Sequence, residues 1–487
     1  MELTRQQCYE ALCSRDARFD GLFYTGVTST GIYCRPVCPA CTPKLENVRF
    51  FEHPAQAEAA GLRPCLRCRP ETAPGSPAWQ GTAASVSRAL RLIAAEPGED
   101  WNIECLAEEL GMTSRHVRRL FQQHLGVSPV AVTQLYRVQL ATRLLAETAL
   151  PVTEVAFAAG FRSLRRFNAA MKRACGHAPR LLRPDSTRTQ HNSSASALAL
   201  TVKYRPPCDL GYLFAYLRGR AIPGVERIDD PGYCRLVRFG AVEGTVSVRP
   251  VPEKNELQIL LTPGLAPALP QLVERVRRLF DLYCAPSAIA GHLGRDPLLA
   301  PLIAKHPGLR LPGAWDPFEM AVRAILGQQV SVKGATTLAG RLVQQYGTPA
   351  ITGGTQGLTH HFPAPALLAE AGLESIGLPA ARAACIRGFS AAIASGHLRI
   401  DAIQAGGALI AELCALPGIG PWTAHYIAMR CAGDPDAFPV DDLGLIKAIA
   451  RVEGHTLRGK ALIARAEAWR PWRAYAVQYL WASLADA

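Results

Sequence analysis

The 487-residue sequence contains no long apolar run, and this shortage limits the classes of protein to which it can belong. None of its hydrophobic stretches approaches the roughly 18 consecutive apolar residues that a membrane-spanning helix needs. The first ten residues, MELTRQQCYE, also lack the apolar core of a signal peptide. We therefore expect a cytoplasmic protein without a membrane partner. A chain of this length predicts three or four domains, because one hydrophobic core does not grow so large.

Acidic residues are fewer than basic residues in this chain. The chain has 53 Lys and Arg residues against 40 Asp and Glu residues, which gives a formal net charge of +13. This excess favours a polyanionic partner, most simply nucleic acid. The 15 cysteines are an odd number, and five of them lie between residues 34 and 68. In a reducing compartment such crowding favours metal or thiol chemistry over disulfides.

Two polar stretches divide the chain. PETAPGSPAWQGT (residues 70–82) is rich in Pro and Gly, and RPDSTRTQHNSSASA (183–197) is rich in Ser, so both are predicted linkers. Between them the pattern is helical, after Leu198 it alternates as in LALTVKY, and from about Leu311 it is helical again. We predict a multidomain, mainly α protein with α+β parts: a small cysteine-rich α+β domain (1–72), a helical domain (83–184), an α/β domain with an antiparallel sheet (198–310) and an all-helical domain (311–487).

Four of the crowded cysteines have the spacing of a closed zinc site. Cys34, Cys38, Cys65 and Cys68 follow the pattern C-x3-C-x26-C-x2-C, which is two close pairs separated by a loop. Four thiolates in this arrangement close a tetrahedral Zn2+ site. The plainest interpretation is a structural zinc that stabilises a domain with little core of its own. Cys41 leaves open whether it replaces Cys38 as a ligand.

The residues around these pairs, TSTGIYCRPVC and GLRPCLRCRP with ENVRFF between them, resemble the N-terminal domain of the Ada DNA-repair regulator over about residues 1–72. The resemblance implies that Cys34 is both a zinc ligand and the acceptor of a methyl group from a phosphotriester in damaged DNA, after which the domain binds DNA more strongly. Zinc coordination keeps such a thiolate deprotonated at neutral pH. Methylation removes one negative charge and so lessens repulsion from DNA phosphates. A purely structural zinc is the alternative.

Two helix-turn-helix patterns follow. WNIECLAEELGMTSRHVRRLFQQHLGVSP predicts a helix, a turn at Gly111, an N-cap at Thr113 or Ser114, and a second helix. PVTEVAFAAGFRSLRRFNAAMKRACGHAP repeats the pattern with a turn at Gly160 and a cap at Ser163. Neither second helix contains an acidic residue. Their candidate DNA-binding side chains are Arg115, Arg118, Arg119, Arg165 and Arg166.

Taken alone, these segments fit two amphipathic hairpins with solvated basic faces. The duplicated pattern, with its paired G-x-S-P and G-x-A-P endings, resembles the AraC-type regulator domain. That resemblance implies two recognition helices that enter successive major grooves of DNA.

The stretch LPGIGPWTAHYIAMR (416–430) predicts a hairpin between two helices, where Gly418 and Gly420 let backbone amides approach a phosphate. FPVDDLGLIK follows, with the adjacent carboxylates Asp441 and Asp442. The combination resembles the helix-hairpin-helix, Gly-Pro, Asp superfamily of DNA glycosylases, and most closely the AlkA type of 3-methyladenine DNA glycosylase II. The resemblance covers residues 198–487 and includes FDLYCAPSAI, LGRDPLL, PGLRLPGAWDPFEMAVRAILGQQVSV, GLPAARA and WRPWRAYA.

The resemblance implies that Asp442 is the catalytic carboxylate, with Asp441 beside it, and that Trp422, Tyr426 and Trp481 line the base pocket. A cationic base such as 3-methyladenine is already a good leaving group, so the enzyme has mainly to flip it out and stack it on electron-rich rings. The carboxylate then stabilises an oxocarbenium-like sugar. Taken alone, the aspartates fit an N-cap pair and the aromatic residues fit core packing.

Departures from the family and further absences refine this prediction. Gln329 stands where the family can present an apolar wedge, which implies a working wedge of different selectivity. Trp422 holds the position of the lysine in strand-cutting members, so we expect no lyase activity. Cys431 is the last cysteine, which argues against an iron–sulfur cluster, and no PCHR-like site occurs for repair of guanine oxygen.

The sequence as a whole predicts a monofunctional DNA glycosylase that is also a transcription regulator. We expect it to bind Zn2+ and double-stranded DNA, both damaged sites and promoters, to act as a monomer associated with the nucleoid, and to have RNA polymerase as a further partner. The alternative is a regulator whose C-terminal half only reads DNA and does not cleave.

Overall fold

The computed structural model describes residues 4–15, 19, 23–51, 54–65, 67–68, 70, 85–86, 89–90, 92–93, 101–148, 150–182, 198–230, 232–240, 242–351, 357–400 and 406–485. The two predicted linkers lie outside these residues, apart from Pro70. None of the helices within these ranges combines the length and the apolarity that a bilayer crossing requires.

The described helices, in chain order, are α1 Arg5–Ser14, α2 Pro54–Ala59, α3 Ile103–Leu110, α4 Ser114–Leu125, α5 Pro129–Glu147, α6 Val152–Ala158, α7 Leu164–Cys175, α8 Leu210–Arg218, α9 Leu269–Leu279, α10 Pro286–Leu293, α11 Ala300–Lys305, α12 Pro317–Leu326, α13 Val332–Tyr346, α14 Pro365–Ala369, α15 Ala380–Ala394, α16 Gly406–Cys414, α17 Pro421–Ile427, α18 Leu443–Glu453, α19 Gly459–Ala466 and α20 Arg473–Ala485. The strands are β1 Tyr24–Val27, β2 Ile32–Cys34, β3 Val48–Phe51, β4 Arg63–Pro64, β5 Leu198–Lys203, β6 Glu226–Asp229, β7 Gly232–Phe239, β8 Val242–Val251, β9 Glu256–Leu261, β10 Thr348–Pro349 and β11 His360–His361.

The cysteine-rich part is a four-stranded sheet with two short helices. The strand order is β3-β1-β2-β4, in which β1 is antiparallel to both neighbours and β2 is parallel to β4. Its apolar core is small: one cluster contains Tyr24 and Tyr33, another contains Cys8 and Phe23. The sheet therefore has little hydrophobic burial of its own, which fits a domain stabilised by a metal.

The helical part consists of two helix-turn-helix units. In the first, α3 ends at Gly111 in the left-handed region and α4 begins after the N-cap Thr113. In the second, Gly160 has a φ of +82° and α7 begins after the N-cap Ser163. Both glycines permit a turn that other residues adopt only with strain. The helix α5 has 19 residues, so it separates the two units by about 28 Å along its axis.

The α/β part is a five-stranded antiparallel sheet in the order β5-β9-β8-β7-β6. Alternate residues of β5 and β9 are buried, which is the alternation that the sequence predicted. Helices α8 and α9 contribute to the same hydrophobic cluster as the sheet. That cluster also contains residues of the second helix-turn-helix unit, such as Phe167 of α7, so the unit packs against the α/β part.

The C-terminal part is a helical core with one short two-stranded ribbon, β10 with β11. Ile289, Leu293 and Leu298, which precede the predicted boundary at residue 310, pack in this core. Buried ion pairs tie the sheet to α12: Arg235 donates to Glu226 at 3.2 Å and to Glu319 of α12. Because a buried charge is costly without a partner, these pairs fix how the sheet and α12 face each other.

Candidate functional site

The four predicted zinc ligands lie together. The Sγ atoms of Cys34, Cys38, Cys65 and Cys68 all lie within 4.8 Å of one another, and all four residues are buried. Cys34 is the last residue of β2, and Cys65 directly follows β4, so the parallel pairing of these strands brings the two halves of the site together. Cys41 is exposed and lies outside the cluster.

This sulfur set fits Zn2+. A tetrahedron with metal–sulfur bonds of roughly 2.3 Å has sulfurs about 3.8 Å apart, and the Sγ atoms of Cys38 and Cys65 are 3.9 Å apart. The backbone N–H of Arg35 donates to the sulfur of Cys68 at 3.3 Å, which is the hydrogen bond that a thiolate ligand accepts. The donor set is four soft ligands, which suits zinc.

The five predicted DNA-binding arginines are exposed on the second helices of the two units. Arg115, Arg118 and Arg119 lie on α4, whose inward face contains the buried Leu120 and Phe121. Their equivalents on α7, residues 165 and 166, are exposed next to the buried Phe167. Each unit therefore presents a basic helix face while its apolar face is packed. The length of α5 is comparable to the roughly 34 Å of one turn of DNA.

The two glycines of the hairpin have different local roles. Gly418 has a φ of +86°, and a Cβ added to it would lie 2.8 Å from the Cβ of Cys385. Gly420 is the N-cap of α17 with a φ of −87°, and a Cβ there would meet no protein atom within 4 Å. Gly418 is thus required by the turn itself, whereas Gly420 leaves space that an approaching phosphate can use.

We expect Gly418→Ala to destabilise the chain by about 1–3 kcal/mol, because it combines strain with a clash against backbone-near atoms. Gly420→Ala should leave the melting temperature near that of the unmodified protein and weaken binding to duplex DNA. Thermal melts and duplex titrations of both variants make the comparison. Equal losses of stability would show that the two glycines do not differ in this way.

Asp442 is oriented by three N–H donors. Its Oδ1 accepts from the backbone N–H of Leu445 at 2.7 Å and from the indole N–H of Trp481 at 2.8 Å, and its Oδ2 accepts from the indole N–H of Trp422 at 2.9 Å. It is the N-cap of α18, so the plain N-cap interpretation is correct for this residue and is compatible with a catalytic one. Asp441 is exposed, whereas Asp442 is partly buried.

The three predicted pocket aromatics lie together beside this carboxylate. The rings of Trp422 and Tyr426 are stacked, with centroids 5.3 Å apart and planes within 9°. The ring of Trp481 lies 6.1 Å from that of Tyr426 at an angle of 54°. All three residues are partly buried. The arrangement provides an aromatic surface for a planar base next to a carboxylate.

Gln329 lies at the exposed tip of the turn between α12 and α13, with a φ of +56°. A non-glycine residue in this region costs about 1–3 kcal/mol and is found where the surroundings hold it in place. The preceding Gln328 provides that support: its Nε2 donates to the carbonyl oxygen of Gly418 at 3.0 Å and to Thr423 at 3.1 Å. The predicted wedge is thereby attached to the hairpin.

Sequence reasoning missed further residues of the pocket. Tyr216 of α8 forms a hydroxyl–hydroxyl hydrogen bond with Tyr426 at 3.2 Å, although 210 positions separate them. The Nδ1 of His425 accepts from the backbone N–H of Phe438 at 3.2 Å, which positions the segment leading to Asp442. Burial, with the charge of Arg473, lowers the pKa of His425 to about 4, so the ring is neutral at pH 7 and can accept this bond. The quoted GQQ motif contained Gln328, but no pattern indicated Tyr216 or His425.

Four family models match separate stretches of the chain. Residues 7–71 match the metal binding domain of Ada, 106–184 a helix-turn-helix domain, 199–316 the AlkA N-terminal domain, and 322–474 the HhH-GPD superfamily of base excision DNA repair proteins. The Ada match and the buried four-cysteine cluster together confirm Zn2+ as the predicted cofactor.

The relatives cover different shares of the chain. A Mycobacterium tuberculosis protein named "Probable bifunctional transcriptional activator/DNA repair enzyme AlkA" is 42% identical over 98% of this chain and 96% of its own length. The DNA-3-methyladenine glycosylase 2 of Escherichia coli is 38% identical over 58% of this chain and 96% of its own length.

The structure of a 3-methyladenine DNA glycosylase from Archaeoglobus fulgidus has a TM-score of 0.50 at 20% identity, covering 58% of this chain and 97% of that one, which supports the fold alone. The predicted fold class is confirmed. The sequence identity to the Mycobacterium tuberculosis protein extends over nearly the full length of both chains. The protein therefore belongs to the family of bifunctional AlkA proteins, in which an Ada-type metal-binding domain and a helix-turn-helix domain precede an AlkA-type helix-hairpin-helix glycosylase.

Proposed function

We propose that this chain repairs and senses alkylation damage in DNA: its C-terminal part hydrolyses the N-glycosidic bond of alkylated bases such as 3-methyladenine, and its N-terminal part accepts a methyl group from a phosphotriester and regulates transcription. The observation that carries the first activity is the carboxylate of Asp442, held by the indoles of Trp422 and Trp481 at the edge of the aromatic surface. Its relatives are named as glycosylases or as bifunctional activators and repair enzymes.

In the proposed excision step, the damaged nucleotide leaves the duplex and its base stacks on the rings of Trp422, Tyr426 and Trp481. Gln329, at the tip of its turn, occupies the gap left in the duplex. As the bond between base and sugar breaks, the negative charge of Asp442 stabilises the developing positive charge on the sugar, and a water then adds to that carbon. The indole N–H groups hold the carboxylate in one orientation, so little reorganisation is needed.

In the proposed methyl transfer, the sulfur of Cys34 attacks the methyl carbon of a phosphotriester. A sulfur–carbon bond forms as the carbon–oxygen bond breaks, and the DNA phosphodiester leaves with the electron pair. Zn2+, held by Cys34, Cys38, Cys65 and Cys68, would keep that sulfur a thiolate at neutral pH. The sulfur of Cys68 accepts the backbone N–H of Arg35. This hydrogen bond stabilises the negative charge of that sulfur and so makes Cys68 a weaker nucleophile than Cys34.

We further propose that α4 and α7 read promoter DNA, and we test this with Arg118→Ala and Arg165→Ala. Each change should weaken promoter binding by about 5- to 150-fold, which corresponds to about 1–3 kcal/mol, and leave excision on a short damaged duplex unchanged. Arg249→Ala, at an exposed arginine of β8, is the matched control for loss of one positive charge. Promoter titrations and single-turnover excision are measured for all three. Equal losses in both assays would show that reading and excision are not separable.

We also propose that the protein is cytoplasmic and associated with the nucleoid, that it is a monomer, and that RNA polymerase is a partner. The proposed domain limits are 1–72, 83–184, 198–310 and 311–487. The location rests on the lack of a long apolar run and on the charge of the chain, the domain limits rest on the two polar stretches and the change of pattern, and the others rest on the family resemblance. Sedimentation of the full chain with and without promoter DNA tests the oligomeric state, and a dimer on DNA would refute it.

A further inference from the structure

A buried guanidinium lies behind the aromatic surface of the pocket. Arg430 belongs to the π-helical segment Ala428–Ala432 that follows α17, and only 1% of it is exposed. Its Cζ lies 5.0 Å from the ring centroid of Tyr216, 5.3 Å from that of Tyr426 and 5.5 Å from that of Trp481. Tyr426 and Trp481 are partly buried residues, whereas Arg430 is fully buried. The charge therefore lies deeper in the protein than the aromatic residues that would receive a base.

The positive charge of Arg430 is not neutralised by an acid within the described parts of the chain. One guanidinium nitrogen donates to the carbonyl oxygen of Pro312 at 2.9 Å and another to Oε1 of Gln478 at 2.8 Å, and both acceptors are neutral. Its Nε has no hydrogen-bond partner. By contrast, the buried Arg235 pairs with two carboxylates. An unpaired buried charge acts over several ångströms because little water screens it.

A fixed cation close to an aromatic ring opposes the binding of a second cation at that ring, because like charges repel and both draw on the same electron density of the ring. Alkylated bases such as 7-methylguanine carry a positive charge in DNA, whereas hypoxanthine is neutral. We propose that Arg430 determines lesion selectivity, because its charge lowers the preference of the pocket for positively charged bases relative to neutral ones. This inference rests on the proposed glycosylase function.

The field of Arg430 also acts on a neighbouring hydroxyl. Burial would raise the pKa of Tyr216, but the charges of Arg430 and Arg220 outweigh burial and lower that pKa to about 8. The Cζ of Arg220 lies 3.8 Å from the same ring centroid. The charge of Arg430 therefore acts on the hydroxyl of Tyr216, which is hydrogen-bonded to that of Tyr426 in the pocket. Arg430 contacts neither the base nor the sugar in this account, so it determines specificity without being catalytic.

The test compares single-turnover excision of 7-methylguanine and of hypoxanthine from otherwise identical duplexes by the full chain. Arg430→Met removes the charge and keeps much of the side-chain length. Gln478→Glu keeps Arg430 and places a carboxylate against it, in a side chain of nearly the same shape. Arg249→Ala, which removes an exposed positive charge from β8, is the control for the change in net charge. Circular dichroism and thermal melts establish that each variant is folded.

We expect the ratio of the 7-methylguanine rate to the hypoxanthine rate to rise about 2- to 30-fold in Arg430→Met and in Gln478→Glu, which corresponds to a cation–π difference of 0.5–2 kcal/mol. In Arg249→Ala the ratio should stay within about twofold, because that charge lies on the exposed surface of β8 and is screened by solvent. If Arg430→Met does not fold, Gln478→Glu decides alone. An unchanged ratio in folded Gln478→Glu, or an unmodified chain that excises only the cationic base, would overturn the inference. No excision of either base by the unmodified chain would instead overturn the proposed function.

Discussion

Asp442→Asn is expected to abolish excision of 3-methyladenine while leaving binding to damaged DNA nearly intact. The amide keeps the size of the carboxylate, and its oxygen can still accept the N–H of Leu445 that caps α18. It lacks the negative charge that faces the developing oxocarbenium ion, and loss of such preorganised stabilisation costs about 10²- to 10³-fold or more in rate. Single-turnover release of the base measures the loss. A gel-shift titration on a duplex with a non-cleavable abasic analogue measures binding.

The adjacent aspartate provides the matched control for this prediction. Asp441 is exposed, whereas Asp442 accepts both indole N–H groups, so Asp441→Asn should be the milder change. Both variants remove one negative charge from the same turn and so have the same effect on the net charge that DNA meets. An inactive Asp441→Asn beside an active Asp442→Asn would move the catalytic role by one residue.

Cys34→Ala is expected to eliminate methyl uptake from methyl-phosphotriester DNA completely, since it removes the sulfur that would form the new bond. The unmodified chain and Cys41→Ala should each gain one methyl group, because Cys41 is exposed and outside the cluster. Peptide mapping by mass spectrometry locates the group. Zinc content should fall in Cys34→Ala and stay at the unmodified level in Cys41→Ala, because four ligands close the site and three leave it open.

Methyl transfer to any sulfur other than that of Cys34 would contradict this account. A label on Cys38 would indicate that the other cysteine of the same pair is the nucleophile. No label at all, with zinc bound, would leave the site with a structural role, which is the alternative that the cysteine spacing allowed. Excision by the C-terminal part does not depend on this outcome, so the two activities are tested separately.

Local features of this fold were predictable from the sequence because they depend on neighbouring residues. The caps at Thr113 and Ser163 each accept a backbone N–H three residues later, and such contacts follow from residue type and spacing. The alternation of β5 reports directly on which face is buried. The cysteine spacing predicted a four-sulfur cluster but left Cys38 and Cys41 as alternatives, and the structure places Cys38 in the cluster.

Long-range features of the pocket were not predictable in this way. Tyr216 comes from α8, far from the hairpin in sequence, and its hydroxyl meets that of Tyr426 across 210 positions of the chain. The charge of Arg430 is proposed to affect lesion selectivity because it lies close to three rings and has no carboxylate partner in the described structure. Neither property follows from the residues next to it in the sequence. The family resemblance predicted the aromatic residues of the pocket. The electrostatic field around them could be described only from the three-dimensional structure.

One experiment tests both proposed activities, base excision and methyl transfer, in the same sample. The full chain is incubated, in a single turnover, with duplex DNA that carries both 3-methyladenine and methyl phosphotriesters, and mass spectrometry is applied to the small molecules and to the peptides of the same sample. The account predicts free 3-methyladenine together with one methyl group on the peptide that contains Cys34, and, in the Asp442→Asn chain, the methyl group without the free base. A chain that releases no base although it binds the duplex would be a reader of DNA and not a glycosylase, which would contradict the central claim.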